Sequence, residues 1–355
     1  MNQILNAFKL DAPVASCERY GCGHVNETYL VVSESGRRYI LQKISTRAFH
    51  DVPALMQNII SVTQFLKEKT DDPRGVLTLV PTTDGQFFLT HEDGSYWRLY
   101  DFVEDAVCLQ APETPEDFYQ SALAFGNFQQ MLTDFPAETL SETIPMFHNT
   151  ANRFKLFREK LAEDPMGRAA SVKAEIEFAL AHEAEASTLV DLQASGQLPT
   201  RVTHNDTKLN NVMLDATTKK ALCVIDLDTI MPGLSLYDFG DSIRFGAATA
   251  AEDETDLSKV EMSLDLFRTY ASGFLTACPG LTDLEKKMMP MGAKMMTLEC
   301  GVRFLTDYLD GDHYFKVHRE NHNLDRCRTQ FKLVADMEKK WAEMAAVIKE
   351  VTKAI

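Results

Sequence analysis

Apolar and polar residues alternate, or gather in short β-branched and aromatic runs, through most of the first part of the chain. This pattern is typical of strands that bury one face, and the predicted strands span 28–32, 38–44, 76–80, 86–90 and 96–103. The first two are separated by Ser33–Gly36, which indicates a hairpin turn. One helix interrupts the strands, because Pro53 suits a first helical turn and apolar residues then recur at helical spacing up to Lys69.

Beyond Pro115 the apolar spacing becomes helical. The predicted helices span 118–132, 150–161, 170–192, 257–275 and 281–308. Between them, 202–228 has short apolar runs that flank polar loops, as in a small β-hairpin. The pattern predicts an α+β protein with a strand-rich lobe over 1–103, built on a small antiparallel sheet, and a larger α-rich lobe over 104–355.

Composition narrows the possible partners. The chain has 355 residues, 45% of them hydrophobic, and a formal charge of −16, so we expect a globular protein that long-range electrostatics keep away from nucleic acid and anionic membranes. Seven scattered cysteines without a C-x-x-C pair indicate reduced thiols. We expect a cytoplasmic protein without a secretion or membrane segment and without an obligate protein partner; a local basic pocket for ATP stays compatible with the acidic total.

The strongest chemical signal is the segment 204–211, His-x-Asp-x-Lys-x-x-Asn, followed at a hairpin's distance by Asp226. The spacing matches the kinase catalytic loop with its later metal-binding aspartate. Asp206 is the predicted base, Asn211 and Asp226 are the predicted ligands of Mg²⁺, and Lys208 is predicted to stabilise charge on the transferring phosphoryl group. The alternative is a solvated polar loop in which Asp226 pairs with a neighbouring lysine.

A possible phosphate-covering loop lies earlier in the chain. Gly21 and Gly23 begin a G-x-G-x-x-G pattern in which Asn26 stands at the third glycine position, and His24 and Val25 lie within it. Glycines let backbone N–H groups approach phosphate oxygens. We predict that Gly21, Gly23, His24 and Val25 bind the nucleotide, with a plain hairpin turn as the alternative.

Lys43 lies in the strand 38–44, where alternation places it on the same face as Tyr39 and Leu41. It matches the strand lysine that binds the nucleotide phosphates in kinases; the alternative is an exposed strand lysine. The usual helix glutamate partner is missing, since Gln57 and Asn58 stand where it is expected.

The last predicted strand ends where a two-lobed kinase has its hinge. Asp101, Phe102 and Val103 are the predicted adenine contacts, because backbone groups can bind the adenine edge without special side chains. A buried strand would have the same sequence.

With these residues assembled, the chain resembles the aminoglycoside phosphotransferase and choline kinase superfamily, and within it the N-acetylhexosamine 1-kinases. The matching segments are 21–29, 41–43, 96–100, 204–208, 224–229 and 237–244. The resemblance implies a two-lobed protein-kinase-like fold, ATP and Mg²⁺ between the lobes, and transfer of the γ-phosphate to the anomeric hydroxyl of N-acetylglucosamine or N-acetylgalactosamine.

A neutral sugar calls for hydrogen-bonding groups and an aromatic platform. The resemblance implies that these contacts come from His24, Asp206, Lys208, Asp228, Arg244, Arg303, Tyr314 and Trp341. Two purely structural alternatives are that Arg303 pairs with Asp307 and that Trp341 packs a C-terminal helix. Two functional alternatives are a sister kinase for choline, homoserine, methylthioribose or an aminoglycoside, and a pseudokinase that binds nucleotide without turnover.

Overall fold

The computed structural model describes residues 1–21 and 25–355 and divides into two compact units. The first unit contains Met1–Val107, Asp134–Pro145 and Met213–Pro232, and the second contains Cys108–Thr133, Met146–Val212 and Gly233–Ile355. The predicted lobes, 1–103 and 104–355, are continuous stretches, whereas both units are discontinuous. Asp226 therefore belongs to the first unit, while Asp206 belongs to the second.

Helices and strands are numbered here in chain order. The strands are β1 (Val14–Arg19), β2 (Glu27–Ser33), β3 (Arg38–Ile44), β4 (Leu89–Thr90), β5 (Tyr96–Asp101), β6 (Ala106–Cys108), β7 (Arg201–Thr203), β8 (Val212–Asp215), β9 (Ala221–Val224) and β10 (Met231–Gly233). The helices are α1 (Asn2–Leu5), α2 (Val52–Lys67), α3 (Pro115–Met131), α4 (Thr150–Glu163), α5 (Lys173–His182), α6 (Thr188–Ala194), α7 (Ser235–Gly246), α8 (Leu264–Ala277), α9 (Asp283–Asp310), α10 (His322–Lys339) and α11 (Trp341–Ala354).

The first unit is built on a five-stranded sheet in the order β1-β2-β3-β5-β4, with antiparallel pairs. Alternation gives the sheet two chemically different faces. One face carries the apolar core, in which Leu41 and Leu99 pack with Leu5 and Phe8 from the α1 region. On the opposite face, Arg98 lies directly across from Gln42. The small hairpin predicted within 202–228 is present as β8 and β9, with β6 as a third strand.

The second unit is helical and centres on α9, which packs against α4, α7, α10 and α11, while α3 packs against α8. The helices α7 and α9 approach closely at Gly240, where an added Cβ would lie 2.4 Å from the carbonyl oxygen of Gly292. An antiparallel sheet followed by a larger helical part confirms the predicted α+β class. None of the helices in the described ranges has the length and apolar character needed to span a membrane.

Several predicted elements differ in detail. The segment 76–80 forms only an isolated bridge, Leu79 to Tyr100, and the strand predicted over 86–90 shrinks to β4. The single helix predicted over 170–192 is two helices, α5 and α6, separated by a 3₁₀ turn at Glu183–Glu185. The helix α7 was not among the predicted helices, and it is buried almost throughout, its polar residues Asp238, Asp241 and Arg244 included.

Candidate active site

Asp206 lies in the loop after β7, and the structure brings the other predicted residues of this loop to it. The ammonium of Lys208 is 2.8 Å from Asp206 Oδ1. The side-chain amide of Asn211 donates to the backbone oxygen of Asp206 at 2.8 Å and to its Oδ2 at 3.2 Å. With 29% of its side chain exposed, the Asp206 carboxylate stays accessible to a substrate hydroxyl. This arrangement can orient a hydroxyl and accept its proton.

Lys208 keeps its charge in this setting. Burial alone would lower the pKa of its ammonium, but the negative charges of Asp206 and Asp241 outweigh burial and raise that pKa. A fixed cation next to the base is suited to stabilising the charge that develops on a transferring phosphoryl group.

Two carboxylates of α7 hold the backbone of the catalytic loop. Asp238 accepts hydrogen bonds from the backbone N–H of His204 at 3.0 Å and of Asn205 at 2.8 Å, and Asp241 accepts from that of Thr207 at 3.2 Å. Asn205 adopts a left-handed backbone with φ 65°, which asparagine tolerates better than most residues. Residues 237–244 belong to the segments on which the family resemblance rests, yet sequence reasoning gave Asp238 and Asp241 no role.

The electrostatics of the two carboxylates differ. Burial raises the pKa of Asp238. Burial would also raise that of Asp241, but the charges of Arg244 and Lys208 outweigh it and lower the pKa. The fixed negative charge of Asp241 therefore faces both the loop and two cations.

His204 is fully buried, and its ring packs edge-on against Phe125 and Phe128 at centroid distances of 5.4 and 6.1 Å. Its Nδ1 lies 3.3 Å from the backbone nitrogen of Asp206, in position to accept a hydrogen bond. These contacts give His204 a structural role in the loop.

A buried histidine that the sequence did not single out contacts the same loop. His148 Nδ1 lies 2.9 Å from Glu299 Oε1, and its Nε2 lies 3.2 Å from the carbonyl oxygen of Asn205. Burial would raise the pKa of Glu299, but the charge and hydrogen bond of His148 outweigh it and lower the pKa, so Glu299 is a carboxylate. Both ring nitrogens of His148 thus lie next to oxygen atoms. His148 therefore links the Glu299 side chain to the carbonyl group next to Asp206.

The predicted acceptor residues Arg303 and Tyr314 lie together. Arg303 Nη2 is 3.4 Å from the Tyr314 hydroxyl, and the guanidinium lies over the rings of Phe147 and Phe315 at 5.4 Å each. Burial would lower the pKa of Arg303, but Tyr314 and Glu299 outweigh it and raise the pKa. Because Phe147 precedes His148 and Glu299 lies one turn before Arg303, this cluster adjoins the residues that hold the catalytic loop.

Asp307 does not serve as the partner of Arg303. Its carboxylate accepts hydrogen bonds from the backbone N–H groups of His313, Tyr314 and Phe315 at 2.8–2.9 Å and from the side chain of Asn323 at 2.8 Å. Four donors fill its two oxygens. The carboxylate therefore shapes the loop that presents Tyr314, whose exposed fraction is 68%.

Arg244 and Trp341 lie in different settings. Arg244 is buried and bonds to Asp241 at 2.9 Å and to Glu252 at 2.6 Å, so it braces the loop-holding carboxylate. Trp341 begins α11 and lines a cavity of about 310 Å³ with Lys294, which lies in the middle part of α9, more than two turns before Arg303. The structure does not group Trp341 with Arg303 and Tyr314.

Lys294 also forms ion pairs with the acidic groups that line this cavity. His182, Glu185 and Glu338 could together offer ligands to a metal ion. The ammonium of Lys294 lies 2.6 Å from Glu185 and 2.8 Å from Glu338, so a protein cation already neutralises these carboxylates.

In the first unit, Asp226 follows β9 with a left-handed backbone of φ 58°. Asp228, two residues later, is buried and bound through both carboxylate oxygens. Arg98 donates to its Oδ1, and the side-chain amide of Asn26 donates to its Oδ2 at 2.5 Å. Asp226 and Asp228 thus lie on one short turn.

The nucleotide residues predicted from the glycine pattern are described only in part. Gly23 and His24 lie outside the described residues, while Gly21 has φ 73° and Val25 is exposed. Lys43 lies on the sheet face of Tyr39 and Leu41, as alternation predicts. Its ammonium is 4.0 Å from Glu27 Oε1.

The segment predicted as the hinge is anchored by its backbone. The N–H of Asp101 donates to Thr78 and that of Phe102 donates to Arg38, at 2.9 and 3.2 Å. Val103 supplies the third N–H of the segment. The contacts between these residues and adenine stay a prediction.

The donor set fits a hard cation. Asn211 uses its amide nitrogen on Asp206, which leaves its amide oxygen as a ligand atom, and Asp226 offers a carboxylate. The two residues belong to different units and stay predicted ligands of Mg²⁺.

This chain is similar in sequence to one protein family and in fold to several solved structures. The sequence model of the phosphotransferase enzyme family (APH) matches residues 16–271. A microcompartment-associated aminopropanol kinase is 15% identical with TM-score 0.62 and 97% of both chains covered. Amicoumacin kinase in complex with AMP-PNP, Ca²⁺ and Ami is 12% identical with TM-score 0.61, covering 95% of this chain and 92% of that chain. Ethanolamine kinase from Plasmodium vivax is 15% identical with TM-score 0.54, covering 89% and 82%.

At these identities the solved structures establish a shared fold, and the family match establishes kinship because it covers more than two thirds of the chain. The fold of small-molecule kinases thus coincides with a loop in which Asp206, Lys208 and Asn211 meet as kinase chemistry requires. The chain belongs to the phosphotransferase enzyme family (APH) and is a small-molecule phosphotransferase of the kinase type.

Proposed function

We propose that the protein transfers the γ-phosphate of ATP to the anomeric hydroxyl of N-acetylglucosamine or N-acetylgalactosamine, giving the sugar 1-phosphate and ADP. The observation that carries the kinase part is the accessible Asp206 carboxylate held between Lys208 and Asn211. An intact base and amide ligand argue against a pseudokinase, since turnover depends on both.

In the proposed step, the sugar hydroxyl oxygen forms a bond to the γ-phosphorus and the bond from that phosphorus to the β,γ-bridging oxygen breaks. The hydroxyl proton passes to the Asp206 carboxylate. Lys208 stabilises charge on the transferred group. Asp238 and His148 hold the loop so that the Asp206 carboxylate stays oriented toward the sugar hydroxyl. Mg²⁺, with Asn211 and Asp226 as proposed ligands, would neutralise phosphate charge when bound.

ATP is the proposed phosphate donor. The AMP-PNP complex of amicoumacin kinase, which shares this fold, supports that proposal. The described residues proposed to bind the nucleotide are Gly21, Val25, Lys43 and Asp101–Val103, and Gly23 and His24 lie outside the described ranges. The N–H of Val103 is the proposed adenine donor, because those of Asp101 and Phe102 are already used.

Arg303 and its neighbours indicate the class of the acceptor. A guanidinium beside Tyr314 and two phenylalanine rings offers hydrogen bonds and aromatic surface to a neutral polyol. The same guanidinium would repel a quaternary or primary ammonium. This favours a sugar over the amino-alcohol acceptors named for two of the similar structures, aminopropanol and ethanolamine.

An amino alcohol is the second candidate, because proteins of the same fold are named for such acceptors. The resemblance to N-acetylhexosamine 1-kinases and the charge of Arg303 both weigh against it.

The test is ADP release with Mg·ATP and a panel of N-acetylglucosamine, N-acetylgalactosamine, glucose, galactose, choline, ethanolamine, aminopropanol, homoserine and an aminoglycoside. Phosphorus NMR locates the new ester. Turnover restricted to the acetylated sugars with an anomeric phosphate supports the proposal. Turnover with an amino alcohol overturns the sugar assignment and retains the kinase, and nucleotide binding without any turnover supports a pseudokinase.

A further inference from the structure

A buried three-way junction lies at Asp228 in the first unit. Its exposed fraction is 4%, and each carboxylate oxygen has its own donor, Arg98 on Oδ1 and Asn26 on Oδ2. The junction extends at both ends: Asn26 Oδ1 accepts from the backbone N–H of Ser45 at 3.0 Å, and Arg98 Nε donates to Gln42 at 2.9 Å. The turn that bears Asp226, the end of the glycine-rich loop and strands β3 and β5 thus share one carboxylate.

Protein kinases organise their nucleotide lobe with an ion pair between a strand lysine and a helix glutamate. Among the residues that the structure describes, the ion-pair partner of Lys43 is a strand glutamate and not a helix glutamate. Lys43 lies on the apolar-core face with Leu41, next to Glu27 of β2. In α2, the side chain of Asn58 donates to the backbone oxygens of Ser141 and Ile230.

Arg98 supplies a cation on the other face. It lies directly across from Gln42, one residue before Lys43, and its guanidinium also approaches the sulfur of Met56 in α2 at 3.9 Å. Burial would lower the pKa of Arg98, but Asp228 and its other neighbours outweigh burial and raise it, so the charge is permanent.

We propose that the Arg98–Asp228 ion pair is the positioning link that holds Asn26, at the described end of the glycine-rich loop, and the Asp226 turn in place for Mg·ATP. It takes the organising role that the lysine–glutamate pair has in protein kinases. Asp228 then acts as a positioning residue in place of the predicted acceptor contact, because it is buried and each of its oxygens accepts a hydrogen bond from another residue of the first unit. Asn26 stands at the third glycine position because the link needs its amide.

The inference rests on the proposed use of Mg·ATP and is independent of the acceptor. Buried ion pairs contribute little to net stability compared with apolar side chains of similar volume, so the value of this pair lies in geometry. Replacing both partners by apolar residues removes the link without leaving an unpaired buried charge. This separates positioning from folding.

The first test uses R98M/D228L, with R19M as the matched control, because Arg19 lies on the same sheet with an exposed side chain. Thermal unfolding reports folding, and calorimetric titration with Mg·AMP-PNP reports nucleotide binding. We expect the double variant to stay folded and to bind Mg·AMP-PNP at least about tenfold more weakly, R98K to regain part of that loss, and R19M to bind as the native protein does. Native-like binding by R98M/D228L overturns the inference.

The second test is N26G, which completes the G-x-G-x-x-G pattern and leaves the buried ion pair intact. If the third glycine were the functional requirement, N26G would bind Mg·AMP-PNP as well as or better than the native protein, and this result overturns the inference. We expect N26G to bind Mg·AMP-PNP more weakly than K43Q does and to have a higher KM for ATP than K43Q has. If the native protein binds no nucleotide, the proposed function fails as well; if it binds and all variants match it, only the inference fails.

Discussion

Two aspartates, one in each unit, show how the surroundings of a carboxylate decide its use. Asp206 of the second unit keeps 29% of its side chain exposed and has Lys208 beside it, so it can meet a hydroxyl. Asp228 of the first unit is buried, and Arg98 and Asn26 use both of its oxygens. The first carboxylate is available for chemistry, and the second fixes the shape of its surroundings.

The residues around the two aspartates also have different roles. Asp206 owes its place to groups that bind the backbone of its loop, Asp238 and Asp241 on one side and His148 on the other. Asp228 is itself the group that binds others. Substitutions at Asp206 should therefore change turnover, whereas substitutions in the supporting groups should change stability and turnover together.

The largest effect is expected for D206N. The amide keeps the shape of the side chain but cannot take a proton, so turnover should fall by about three orders of magnitude while Mg·ATP binding stays within about twofold. Steady-state ADP release and calorimetric titration measure the two quantities. D134N, at an exposed carboxylate, is the control and should behave as the native protein. Substantial turnover by D206N would refute the base assignment.

The next effect is expected for H148A. It leaves the buried Glu299 carboxylate without its His148 partner, which should lower the free energy of unfolding by about 3 kcal/mol. Urea denaturation measures this, and H148A should also lower kcat, because the Asn205 carbonyl loses its donor. A stable H148A variant with native kcat would show that the His148 ring does not hold the loop.

The same pair predicts a pH dependence. The pKa of Glu299 is lower in the folded protein, because the charge of His148 outweighs burial. Its contribution to stability is therefore present above the ordinary glutamate pKa of about 4.3 and is lost as pH falls through the folded value. Urea denaturation between pH 3 and 6 should show a shallower acid decline for E299Q than for the native protein. Equal declines would assign the acid sensitivity to other carboxylates.

A smaller effect is expected for G240A. The added Cβ would lie 2.4 Å from the carbonyl oxygen of Gly292, so α7 and α9 must separate. We expect a loss of about 2 kcal/mol in the free energy of unfolding, accompanied by lower turnover, because α7 carries Asp238 and Asp241. G280A is the matched control, since its nearest contact is the movable end of Gln130 at 3.0 Å. An unchanged G240A variant would show that the helix contact tolerates a methyl group.

The smallest effect is expected for Y314F. Removing the hydroxyl deletes the contact with Arg303 from a side chain that is largely exposed. Stability should be unchanged, and the KM for the sugar should rise about fivefold with little change in kcat. Initial rates at varied sugar concentration measure the split. An unchanged KM would remove Tyr314 from the acceptor site.

Features that depend on residues close together in the sequence were predicted from the sequence alone. Alternation predicted β2 and β3 and the face of Lys43, and spacing along one loop predicted that Asp206, Lys208 and Asn211 would meet. These patterns did not predict the break between α5 and α6 or the helix α7, whose polar residues are buried against the catalytic loop.

The remaining features depend on contacts between distant parts of the chain. His148 reaches Asn205 across 57 positions, and Asn26 reaches Asp228 across 202. Local sequence gives no sign of either partner. The departures from the kinase pattern, Asn26 for glycine and Asn58 for glutamate, were visible in the sequence, but only the structure shows what these residues bind instead.

The left-handed backbone of Asp226 also bears on the evolutionary history open to this site. With φ 58°, the position favours aspartate, asparagine or glycine over branched side chains, and the proposed metal contact additionally requires a carboxylate. Asparagine and glycine are each one nucleotide away from an aspartate codon. Loss of turnover with retention of the fold is thus a single mutational step, and inactive relatives that keep this turn intact are the expected by-product of its conformation.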